Sequence, residues 1–127
     1  MELANFYALY YACHQLAPAC SPKIFLYAVG GLDGVNVLNS TKIAERYDPD
    51  LDSWTPIASM GTARFDLGLT TLNNIIYAVG GFAGSGFGDE KNYTALNTAE
   101  RYDPDLDSWT PIASMGTARE YLGLTAL

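Results

Sequence analysis

The sequence predicts an all-β, antiparallel fold built by repetition, and three observations carry that expectation. The first is a tandem copy: AERYDPDLDSWTPIASMGTAR occurs at Ala44–Arg64 and again at Ala99–Arg119, identical throughout. The second is composition. Glycine numbers 12, tyrosine 9, and aromatics reach 13%, a mixture of strand formers and tight-turn residues. The third is the balance of 49% hydrophobic against 17% charged residues, which belongs to a packed core rather than a disordered polar tail.

The same numbers exclude several function classes. Fourteen acidic and seven basic residues give a net charge of −7. Nucleic acid needs clustered lysine and arginine, and an anionic membrane surface needs the same. No apolar run approaches the roughly 18–20 residues of a spanning helix. Two cysteines and one histidine are too few for a disulfide scaffold or a complete structural zinc site.

The elements follow from the repeat. IFLYAVGG ends at Gly31 and NIIYAVGG at Gly81, while LGLTTL at Leu67–Leu72 returns as LGLTAL at Leu122–Leu127. In the second unit, Arg64–Leu72 reads as the first strand, closed by an Asn73-Asn74 turn. Ile75–Val79 is the second strand, ending in Gly80-Gly81, where the backbone needs positive φ or close approach. Thr98–Tyr102 and Trp109–Ile112 are the third and fourth, joined by Asp103-Pro104-Asp105. There the aspartate bonds back to the chain and proline presets φ for a type I turn. Four antiparallel strands in about 50 residues are the size of one β-propeller blade.

The predicted organisation is blade one at 24–63, blade two at 64–118, and the inner strand of a following blade at 119–127. Residues 1–23 form an atypical N-terminal segment, expected as a short helix or as disordered chain. Its HQLAPACSPK stretch aligns with the inner strand Arg64–Asn73, but Pro18 and Pro22 suit a ladder poorly. Blade one is therefore expected to lack its inner strand.

The order Arg, LGL, YAVGG, ERYDP, Trp, Ser-Met resembles the kelch repeat, and is especially similar to the kelch-like proteins, in which a kelch propeller follows BTB and BACK domains. The resemblance covers about Ile24 to Leu127. It implies a β-propeller, commonly six-bladed, that binds a partner protein. In many members that partner is delivered to a cullin-type ubiquitin ligase; other relatives bind actin. No BTB or BACK segment lies within these 127 residues, and two blades cannot close a propeller of roughly four to eight. Three readings stay open: a piece of a longer propeller or a truncated product; a homo-oligomer in which copies join head to tail, three of them completing six blades; or an open two-blade monomer with exposed edges. A structural or vestigial fragment without a partner of its own is the competing functional class.

The resemblance implies that Arg64 and Arg119 open onto the partner-binding face and grip acidic groups, a task suited to arginine's planar fork. The plain alternative is a salt bridge with a turn aspartate. Leu32 and Phe82, just after the Gly-Gly pairs, fall on the same face. The loops Leu32–Lys42 and Phe82–Asn97 are where the two units differ most. The second carries Phe82, Phe87 and Tyr93 with Asp89, so it is the candidate recognition loop. Glu45-Arg46 and Glu100-Arg101 lie on third strands, where inter-blade ion pairs are the expected role. Trp54, Trp109, Tyr47 and Tyr102 recur identically and are expected to pack between strands and blades.

No enzyme is expected. His14 is the only histidine, so no nucleophile–base pair is visible, and no cofactor is implied. The DPDLD runs have the alternate aspartates of a calcium loop, but Ser59 and Ser114 stand where its bidentate glutamate belongs, so a turn is expected and no metal. Glu2, Asn5, His14 and Gln15 spoil Met1–Pro22 as a signal peptide, which predicts a cytoplasmic protein.

Overall fold

The identical segments fold the same way twice. The structure, a computed structural model, describes residues 23–34, 38–86 and 92–127; the readings of Met1–Pro22, Phe87 and Asp89 lie outside the described residues. Among those residues the strands are β1 Leu26–Val29, β2 Leu32–Asp33, β3 Leu38–Ser40, β4 Ala44–Asp48 and β5 Ser53–Ile57. They continue as β6 Gly68–Leu72, β7 Ile75–Val79, β8 Phe82–Gly86, β9 Asn92–Ala95, β10 Ala99–Asp103 and β11 Ser108–Ile112. All pair antiparallel, in three sheets.

Blade two is the four-stranded sheet β6-β7-β10-β11, and blade one the three-stranded sheet β1-β4-β5. The registers repeat: Tyr47 faces Trp54 across β4 and β5, and Tyr102 faces Trp109 across β10 and β11. The turns explain the DPDLD runs. Asp48 Oδ1 accepts from the Asp50 and Leu51 amides, and Asp103 Oδ1 from the Asp105 amide. Asp52 and Asp107 take the left-handed conformation at φ 47° and 45°, and each accepts the hydroxyl proton of the tyrosine five residues back. These carboxylates are occupied by turn formation, as Asx chemistry requires. Asn73 and Asn74 both have positive φ, the mark of a type I′ hairpin between β6 and β7.

The core lies between the blades. Val29, Ala44 and Met60 from blade one meet Ala78 of blade two, with Tyr27, Ile57, Leu67 and Trp109 packed around them. Each blade buries one face only by docking on the next.

Three elements differ from the sequence expectation. The ladder of β6 begins at Gly68 rather than Arg64. The Arg64 amide donates instead to Thr41 O, and Arg64 O accepts from the Gly31 amide, so this residue ties the inter-blade passage to blade one. Arg119–Leu127 carries no strand. Its start repeats the Arg64 arrangement, with Arg119 N donating to Leu96 O and Gly81 N to Arg119 O. Beyond that, no described strand stands beside it to complete a ladder. The expected loops are in fact hairpins: β2 with β3 and β8 with β9, joined through β3 and β8 into a sheet of order β2-β3-β8-β9 that bridges the two blades.

Candidate protein-interaction site

The junction between the blades is built from main-chain donors and one guanidinium. Behind β5, the Gly61 and Thr62 amides donate to Glu100 Oε2 and Oε1 at 2.6 and 3.0 Å. The Ala58 amide donates to Asp107 Oδ1, and Trp109 Nε1 donates to Ala58 O. Arg64 then inserts its side chain into blade two. Nη1 donates to Gly80 O and Thr98 O at 3.0 and 2.9 Å; Nη2 donates to Thr98 Oγ1 and Glu100 Oε1 at 2.9 and 3.1 Å. Arg64 is 0% exposed and Glu100 3%. Of the guanidinium nitrogens only Nε lacks an acceptor among the described residues.

This corrects the expectation that Arg64 grips a partner's acid. Its fork is consumed inside the chain, and its acid is strand Glu100 rather than a turn aspartate. The third-strand glutamate is thus an inter-blade ion pair in blade two, as its position on β10 suggests. Two residues of the junction were not singled out for it by the sequence: Asp107, which reaches across to blade one, and Ala58, which answers it. The Ala58 amide, with the Tyr102 hydroxyl, holds the Asp107 carboxyl below the usual carboxylate range. Burial and the bond to Asp107 push the Tyr102 phenol up.

The bridging hairpins form the second feature. Gly84 makes them possible. It sits at φ 139°, and a Cβ there would collide with Asn92 O on the paired strand. The Gly84 amide also donates to Ser40 Oγ, tying β8 to β3 across the blades. Behind β8 lies an aromatic cluster. Phe65 stacks on Phe82 at 5.3 Å and meets Tyr93 edge-on at 4.9 Å, while Tyr121 lies edge-on to Phe82 at 6.3 Å. Tyr93 donates its hydroxyl to Gly86 O. Phe65 is buried, Phe82 and Tyr93 are half-buried, and Tyr121 is 77% exposed. Leu32, on β2, is 41% exposed. The structure therefore brings Leu32, Phe82 and Tyr93 to one bridging sheet and its backing, and adds Phe65 and Tyr121, which the sequence reading did not name. Arg119 is exposed, and among the described residues its side chain has no partner. No group of three metal-ligating side chains occurs among the described residues, and no helix there is long and apolar enough to cross a membrane.

A model of the Kelch motif matches residues 26–61 and 63–116. The chain belongs to the kelch repeat family. The two matches coincide with the two blades. Relatives include human Kelch-like protein 28, 40% identical over 110 residues, and human Kelch-like protein 23, 36% identical over 93 residues. A further one is the Caenorhabditis elegans Kelch repeat and BTB domain-containing protein F47D12.7, 40% identical over 103 residues. These alignments cover 87%, 73% and 80% of this chain but only 19%, 14% and 16% of the relatives. A solved structure of YjhT matches with a TM-score of 0.53 at 17% identity, covering 78% of this chain and 31% of the other. That likeness bears on the fold alone, a kelch propeller of which two blades are present here.

Proposed function

We propose that this kelch segment is a protein-interaction module, and that the bridging sheet β2-β3-β8-β9 with its aromatic backing is the surface that meets a partner protein. One observation carries the reading. The scaffold segments are identical between blades, whereas the two hairpins joined across it differ in length and sequence. A fixed frame presenting divergent segments is the layout of a recognition surface. Leu32 supplies exposed apolar contact, Phe82 and Tyr93 stiffen the sheet from behind, and Phe87 and Asp89 lie in the connection between β8 and β9.

The wider role is recognition of substrates for a cullin-type ubiquitin ligase, as the resemblance to kelch-like proteins implies. The relative whose name includes a BTB domain supports it. The test is stoichiometric binding. A protein captured by the chain is purified, and its affinity is measured for the unaltered chain and for Leu32→Asp with Ser85→Arg. Both substituted side chains are exposed, so the fold should persist. Loss of about tenfold or more in affinity supports the assignment; unchanged affinity refutes it.

A further inference from the structure

We infer that Asp66 and Tyr121, backed by Phe82, form a subsite for a cationic side chain, arginine or lysine, of the partner protein. The inference rests on the protein-interaction reading above and names the chemistry of one contact beside the bridging sheet.

The sequence singles out the pair. Ala44–Leu72 and Ala99–Leu127 are 29-residue copies that differ at three positions. Two of the three are adjacent, Phe65-Asp66 in the first copy and Glu120-Tyr121 in the second; the third exchanges Thr71 for Ala126. A duplication that keeps its turns and junction residues unchanged places its divergence where the scaffold does not dictate the residue.

The backbone singles out the same place. Besides glycines, the described residues with positive φ are Asp52, Asp107, Asn73 and Asn74, whose short side chains suit the strand-joining turns, and then Asp66 at 51° and Tyr121 at 47°. A tyrosine in the left-handed region is strained where asparagine or glycine is at ease. Strain kept at a bulky residue outside those turns points to a use for its side chain.

The fold brings the two residues together. Phe65 and Phe82 exchange main-chain hydrogen bonds at 3.0 and 2.8 Å, which fixes Asp66 beside β8. The Tyr121 amide donates to Asp66 O at 3.1 Å, and the Tyr121 ring stands edge-on to Phe82. Asp66 shows that the position stays open between blades. It has blade one before it and blade two after it, and it is still half-exposed. Access at this place therefore does not rest on what lies beyond Leu127.

The chemistry is that of a cation site. Hydrogen bonding and charge from Asp66 push the Tyr121 phenol up, with burial and Glu120 adding less, so both charges felt there are negative. Arg64, beside Phe65 in the chain, is closed to the site because its fork is spent on blade two. Among the described residues no ion pair involves Asp66. A carboxylate beside an aromatic ring holds a guanidinium or ammonium by charge-assisted hydrogen bonds and by the ring quadrupole. The chain fills such a site once within itself. Lys23 Nζ meets Asp48 and Asp50 at 2.8 and 3.1 Å while lying 5.4 Å over the Phe25 ring. Asp66 and Tyr121 offer the same pairing to a cation from outside.

The experiment selects a random peptide library, displayed on phage, on the immobilised full 127-residue chain. The enriched peptides are expected to share an arginine or lysine. A synthesised binder should lose at least about tenfold in affinity when that residue becomes alanine. Asp66→Asn should weaken the same peptide at least about tenfold, and the fold persists because asparagine accepts positive φ. Tyr121→Asn, equally at ease there, should weaken it too. Asp66→Lys should bind the peptide only when the peptide's cation is exchanged for glutamate, a rescue that a merely structural Asp66 would not give. Binders without a shared cation overturn the inference, and so do binders indifferent to Asp66→Asn or a selection that returns no peptide. Binders that ignore Asp66→Asn yet are lost with Leu32→Asp and Ser85→Arg sink this inference and leave the proposed function standing. Binders that survive all of these substitutions sink both.

Discussion

Arg64→Met asks what the buried guanidinium contributes to holding the blades together. The substitution keeps an unbranched apolar stem but removes four hydrogen bonds and the cation paired with Glu100. Taking one member from a buried ion pair costs about 3–5 kcal/mol, because the other charge is stranded. Glu100 keeps the Gly61 and Thr62 amides, which solvate its carboxylate; the cost therefore falls near the lower end, about 3 kcal/mol. A domain of this size is stable by about 5–15 kcal/mol. With a urea slope of about 2 kcal/mol/M, the midpoint should fall by about 1.5 M. The control is Arg119→Met, at the end of the identical segment Ala99–Arg119. Arg119 is exposed and its side chain has no partner among the described residues, so its replacement should stay within about 0.5 kcal/mol. The assay is urea unfolding followed by circular dichroism. Equal shifts for the two variants would refute the reasoning, since the segments leading to the two arginines, Ala44–Arg64 and Ala99–Arg119, are identical while Arg64 alone is buried against Glu100.

Other predictions follow from the same geometry. Gly80→Ala should cost about 1–3 kcal/mol, because Gly80 sits at φ 64° and a Cβ would collide with Arg119 O, whereas Gly116→Ala should be nearly neutral; thermal melts compare them. Trp109 is packed against the core and Trp54 is half-exposed. The chain with Trp54→Phe should thus emit blue-shifted fluorescence and the chain with Trp109→Phe red-shifted; identical spectra would contradict the packing. Acid should weaken the fold. The Ala58 amide depresses the Asp107 pKa, and the Lys23 ammonium depresses that of Asp48. A depressed folded pKa contributes stability that is present above the unfolded value near 4 and is lost as pH falls through the lowered one. Melting temperature should drop below about pH 4, and Asp107→Asn should flatten that drop while lowering stability at neutral pH.

The sequence made the blades legible because their signals are local. Asp-Pro-Asp turns, the Asn-Asn hairpin and the Gly-Gly pairs each declare a backbone conformation within a few residues, and the structure realises all three. The tandem copy then told how many blades to expect. The bridging hairpins were not legible. FAGSG in β8 lacks the alternation and β-branched residues that mark a strand; its pairing with β3 comes from two blades holding the hairpins side by side. The start of β6 was misplaced for a related reason. Arg64 and Phe65 look like strand residues, but their amides are claimed by Thr41 and Phe82, which are distant in sequence. Arg64 itself could be read as a binding residue or as an ion-pair residue until the facing blade was seen. The clue present in the chain was Glu100 on the third strand, at the position its duplicate Glu45 holds in blade one.

The account stands on one claim: the two kelch repeats are adjacent blades locked by main-chain donors from the first to carboxylates of the second. Native-state hydrogen exchange at Ala58, Gly61 and Thr62 tests it most directly. Their amides lie outside every strand, so only the inter-blade bonds can protect them. Protection approaching that of β10 is the predicted result. Exchange at free-peptide rates at these three amides, with β7 and β10 still protected, would contradict it.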